Sequence, residues 1–144
     1  MGEEGRQYVS LMSKAAYFYE RALIFQKHNA NDTAVQSLKE AFSSATSAYS
    51  MMIHHQDASF ERLVQALQLA MACEVVICHL TRDPVRDQLL DELLDLLVGD
   101  LNGICRSKGR DVYTDDQLFE IKNRFIQARH SDLAEGTFLL NMRF

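Results

Sequence analysis

From Leu63 to Leu80 the chain is nearly all apolar, interrupted by Gln65, Gln68 and Glu74. A helix that is apolar on every side must be covered on every side. The rest of the chain therefore has to wrap this segment. Each of the three polar residues would be costly at the centre of a bilayer, so the run reads as a buried core helix and no membrane span is expected.

What surrounds it also reads as helix. One proline and six glycines punctuate 144 residues filled with Ala, Leu, Gln, Glu and Lys, so helix propensity is high and strand signals are scarce. The length suits one core. The expectation is a single all-α domain over 1–144, an up-and-down bundle of about five antiparallel helices near 6–28, 33–55, 58–81, 84–108 and 115–130, followed by an apolar C-terminal tail.

The first helix carries Tyr8, Leu11, Met12, Ala15, Tyr19, Ala22 and Phe25 at spacings of three and four. After Asn29 to Asp32, Thr33 and Gln36 have the spacing of a capping box for the second helix. There Val35, Leu38, Phe42, Ala45, Tyr49 and Met52 form a seam, while Ala34, Ala41 and Ala48 repeat on a neighbouring face that allows close helix approach. Asp57 is placed to cap the central helix near 58–81. Asp83 and Pro84 start the fourth, because proline at the first helical position loses no hydrogen bond. Val85, Leu89, Leu93, Leu96, Leu97 and Leu101 are expected to line it, and Gly109 to end it, with Gly99 as an alternative stop or kink. Thr114 and Gln117 form a second capping box, with Tyr113 placed to staple onto Leu118. Leu118, Ile121, Phe125 and Ala128 continue the fifth helix inward.

Composition removes several function classes. With a net charge of −5 and a pI near 5.5, the chain lacks the basic footprint that phosphate backbones attract, so nucleic acid is disfavoured as a partner. The acidic start, Met1-Gly2-Glu3-Glu4-Gly5-Arg6, does not resemble a secretory signal, and Arg6 stands where N-myristoylation needs Ser or Thr. Cys73, Cys78 and Cys105 are odd in number and contain no Cys-x-x-Cys pair, which argues against disulfides and zinc and for a reducing, cytoplasmic setting. No cofactor and no metal are expected.

Glu74 is the one carboxylate in the apolar run of the central helix, Leu63 to Leu80. Burial would raise its pKa and suit it to acid or base work; otherwise it reaches the helix surface or pairs with an arginine. Asp87, Asp91 and Asp95 recur every four residues, where like charges repel. Such a stripe suits solvent, a basic partner or weak divalent-cation binding.

Arg124 and His130 enclose five residues, as Arg21 and His28 enclose six, a spacing that resembles the arginine-to-histidine motif of the HEPN helical ribonucleases. That resemblance implies Arg124 and His130 as a cleavage pair working across a dimer interface. Leu11-Met12-Ser13-Lys14-Ala15 followed by Tyr19-Glu20-Arg21-Ala22-Leu23 is similar to the first long helix of flagellin-type export chaperones, small acidic bundles that shield amphipathic client helices. It implies a chaperone-like role.

Tyr17, Phe18 and Tyr19 spread around more than half of the first helix and cannot all face one core. Phe119 and Ile126 flank the inward stripe of the fifth, and Phe138, Leu139, Leu140, Met142 and Phe144 load the tail, which either folds back on the bundle or meets something else. Surplus apolar surface of this kind is what a protein partner or a second copy of the chain would cover. The sequence thus points to a non-enzymatic, oligomeric or partner-binding module of adaptor or chaperone-like type, with Tyr17, Phe18, Phe119, Ile126, Phe138, Leu139, Leu140, Met142 and Phe144 as candidate contact residues. The alternative is a small helical nuclease.

Overall fold

The computed structural model describes residues 2–55, 58–135, 138–141 and 144. Five helices account for most of them: α1 (Glu3–Lys27), α2 (Asn31–Met52), α3 (Phe60–Thr81), α4 (Pro84–Ser107) and α5 (Asp115–Ala128). Two short 3-10 turns, Asp132–Glu135 and Phe138–Leu140, follow. The expected all-α fold is observed.

Each helix end has a local cause. Glu3 and Glu4 occupy the first turn of α1, where carboxylates complement the positive end of the helix dipole. At its other end Asn29 adopts φ 59°, and Ala30 N–H donates to the Phe25 carbonyl at 2.9 Å while Asn29 N–H donates to that of Gln26 at 3.1 Å. These two bonds make a Schellman ending, with asparagine at the left-handed position that only glycine tolerates better.

This turn corrects the expected start of α2. It delivers the chain straight into helix at Asn31, with Ala30 as a cap whose methyl side chain accepts no hydrogen bond, so Thr33 lies inside the first turn and the Thr33–Gln36 box does not form. Ser59 caps α3 by accepting from Arg62 N–H at 3.1 Å. Asp57, expected in that role, lies outside the described residues. Arg82, at φ 53°, reverses the chain in one residue before the extended backbone that Asp83 adopts ahead of Pro84. The Asp83 carboxylate then accepts from Val85 N–H at 3.0 Å.

Gly99 neither stops nor ends α4, which runs on to a second Schellman ending at Gly109 (φ 67°), where Arg110 N–H reaches the Cys105 carbonyl at 2.9 Å. The start of α5 is doubly fixed. Thr114 and Gln117 form both halves of the expected capping box. The Asn102 side chain also accepts from Tyr113 N–H at 2.7 Å and donates to its carbonyl at 3.0 Å, which ties that start to α4.

Packing follows the sequence order, α1 on α2, α2 on α3, α3 on α4 and α4 on α5, and α3 also touches α1, α5 and both 3-10 turns. Every residue of α3 from Ala66 to Cys78 is buried. By length and composition α3 resembles a membrane-crossing segment, but here the other helices cover it. In α2 the buried set is largely small, including Ala34, Ala41, Ala48, Ser37 and Ser44, as the seven-residue alanine repeat foretold. The α1–α2 pair is the most extensive in the fold, as close approach between such surfaces permits.

Candidate functional site

Three features stand out from the core: a polar cavity around Glu74, a charge ladder between α4 and α5, and apolar surface on α1 and α4.

Glu74 is only 6% exposed, and its Oε1 stands 3.6 Å from Arg86 Nη1. Desolvation pushes its pKa up, while the positive charges of Arg86 and Lys39 pull it down less strongly. Of the alternatives for this residue, burial rules out the helix surface, and the pairing with an arginine is observed. Glu74 nonetheless lines a cavity of about 440 Å³ between α2, α3 and the start of α4. Val35, Lys39 and Phe42 come from α2, Glu74, Ile77 and Thr81 from α3, and Asp83 and Arg86 from the α3–α4 junction. Nearby Cys78 is a poor nucleophile, since burial first and then Glu74 and Asp87 push its thiol up to about 12. Burial raises the Cys73 thiol as well.

The acidic stripe of α4 meets a basic partner within the chain. Asp87 Oδ2 lies 3.2 Å from His130 Nε2, Asp91 Oδ1 3.2 Å from Arg129 Nη1, and Asp95 pairs with Lys122. The partners run in reverse order along the chain, Lys122 from α5 and Arg129 and His130 just after its end. The positive charges of Lys122 and Arg129 relieve the repulsion expected of the stripe. Among the described residues no group of three or more His, Cys, Asp or Glu side chains is arranged to hold a metal ion.

The same ladder bears on Arg124 and His130. His130 engages Asp87 on α4, whereas Arg124 engages Glu120 one turn back on its own helix. They are held by different carboxylates on different helices.

The aromatic run on α1 divides as its angular spread requires. Tyr19 is fully buried, Phe18 half-buried, and Tyr17 52% exposed. Outside the core, Tyr17 packs edge-on against Phe18, and the Arg21 guanidinium lies over both Tyr17 and Phe25, 5.3 and 5.4 Å from the ring centres.

On α4 the structure corrects the expected lining. Val85 is 65% exposed, Leu89 46% and Leu96 68%, while Leu90, Leu94, Leu97, Val98 and Leu101 fill the core. The signal was present in the sequence. Leu89-Leu90, Leu93-Leu94 and Leu96-Leu97 are adjacent pairs, and neighbours on a helix point about 100° apart, so the apolar arc is too wide for one seam.

The remaining candidate contact residues fall into two groups. Phe119 and Phe138 are exposed, and Ile126, Leu140 and Phe144 half-buried. Leu139 is a correction: its side chain is fully buried, and its carbonyl accepts from the buried Gln68 amide at 2.9 Å. Phe144 also turns inward, edge-on to the core residue Phe125 at 6.1 Å between ring centres. A tail segment carrying apolar side chains gains more by covering α3 and α5 than by standing in water. Met142 lies outside the described residues.

No family model, curated protein or solved structure matches this chain significantly.

Proposed function

We propose that this chain is a non-enzymatic interaction module, of adaptor or chaperone-like type, that offers an apolar helical face to an amphipathic helix of a partner protein or to a second copy of itself. The observation that carries this is the line of Val85, Leu89 and Leu96 down the outer side of α4, solvent-exposed on a helix whose opposite side is core. Helix-in-groove recognition needs apolar anchors at helical spacing on a rigid scaffold. The Tyr17–Phe18–Arg21–Phe25 cluster on α1 adds residue types enriched at binding hot spots. A reducing, cytoplasmic setting is part of the proposal, consistent with three buried, unpaired cysteines.

The test is a Leu89→Lys, Leu96→Lys double variant of the full chain. Both positions are exposed, so its thermal melt should match the wild type, while self-association in sedimentation, or retention of a partner co-purified from the native source, is lost. A wild-type chain that stays monomeric at high concentration and retains no partner would sink the proposal.

A further inference from the structure

We propose that the Glu74 cavity is a binding site for a small dipolar ligand of the α-amino acid class, with the ligand's ammonium on Glu74 and its carboxylate on Lys39 and Arg86.

Size comes first. A cavity of about 440 Å³ falls within the range of small-molecule sites, and it opens at the surface of the bundle where a ligand can enter. Its walls are mixed: Val35, Phe42 and Ile77 supply apolar surface, and charged groups from three helices converge beside them.

The charges determine the ligand class. Lys39 and Arg86 are positive and Glu74 and Asp83 negative, so the lining is balanced. A simple anion would face two carboxylates, and a simple cation would face a lysine and an arginine. A molecule carrying both signs meets complementary charge at both ends. Of the two carboxylates, Asp83 is already occupied in capping α4 through Val85 N–H. Among the described residues, Glu74 is held only by its ion pair with Arg86. Its approach to Arg86, at 3.6 Å, is an ion pair too long for a hydrogen bond, so a deeply buried carboxylate keeps its acceptor capacity for a donor in the cavity. An ammonium group supplies three such donors. Lys39, exposed and long, and Arg86, part-exposed, stand where a carboxylate at the same cavity would find them. The apolar wall then receives the side chain, which favours leucine-like or phenylalanine-like ligands over small polar ones.

Calorimetric titration of the full chain at neutral pH tests this with L-phenylalanine and L-leucine as probes, beside 3-phenylpropanoate, which lacks the ammonium, and 2-phenylethylamine, which lacks the carboxylate. Saturable binding of an amino acid is expected, with both truncated analogues weaker by about tenfold or more, the loss typical of one charge-assisted contact. Glu74→Gln should weaken the amino acid to a similar degree, and Lys39→Ala, at an exposed position that leaves the core intact, should weaken it as well. Absence of binding by either amino acid up to about 10 mM, the weak end of specific affinity, overturns the proposal. So does equal binding of either truncated analogue, or undiminished binding by a folded Glu74→Gln protein.

Discussion

α3 and α4 are both leucine-rich helices with apolar residues on more than one side, yet only α3 is covered all round. α2, α4, α5 and the tail close over it, whereas α4 packs on α3 and α5 and leaves Val85, Leu89 and Leu96 in solvent. Apolar character all round a helix thus tells how much surface must be covered. It does not say whether the same chain does the covering. For α3 the chain supplies enough neighbours. For α4, α5 and the residues just after it lie on the acidic side, tied by the Asp91–Arg129 and Asp95–Lys122 ion pairs and the Asp87–His130 contact, and the outer side is left open.

The sharpest way to break this contrast is a matched pair of truncations. Leu67→Ala, in the middle of α3, should cost about 2–5 kcal/mol in chemical denaturation, the usual cost of a cavity in a packed core. Leu96→Ala should change stability by less than about 0.5 kcal/mol, as exposed positions do. Comparable losses at the two sites would mean that the outer face of α4 is covered in the isolated chain.

A smaller effect tests why α5 lies where it does. Asp91→Asn removes the central rung of the ladder, and because Asp91 is half-exposed while Arg129 is mostly covered, a loss of about 0.5–1 kcal/mol is expected. The loss should shrink in high salt, since a partly exposed pair is screened. A salt-independent loss of several kcal/mol would point to packing instead of charge as what seats α5.

The smallest effect contrasts the buried carboxylate of α3 with those of α4. Glu74 has a raised pKa in the fold, so the folded chain holds its proton more tightly than the unfolded chain does. Its contribution is therefore favourable below the ordinary glutamate range and is lost as pH rises through the raised folded value. Glu74→Gln cannot acquire that charge. It should match the wild type in acid and become the more stable of the two toward neutral pH, as measured by denaturation at a series of pH values. A variant less stable than wild type at neutral pH would show that the Arg86 and Lys39 attractions outweigh desolvation.

Much of this is legible in the sequence because it rests on local rules. Pro84 after Asp83, the Thr114–Gln117 box and Gly109 each act within a few residues, and each marks a helix end where expected. The junction of α1 and α2 is less legible, because Asn29, not glycine, takes the left-handed turn and displaces the start of α2 to Asn31. The Glu74 site is legible only in part. Glu74 stands out as the lone carboxylate in the apolar run from Leu63 to Leu80, but Lys39 and Arg86 belong to other helices and carry no local mark of their role.

The sequence by itself determined an all-α chain with five helices and a buried third one, because periodicity, capping and the shortage of helix breakers are properties of neighbouring residues. Tertiary structure alone decided which apolar residues stay outside, that the acidic stripe finds Lys122, Arg129 and His130 as partners, and that Leu139 enters the core while Leu96 does not. Those outcomes depend on where separate helices lie against one another, and burial is settled by the surface that distant segments happen to cover.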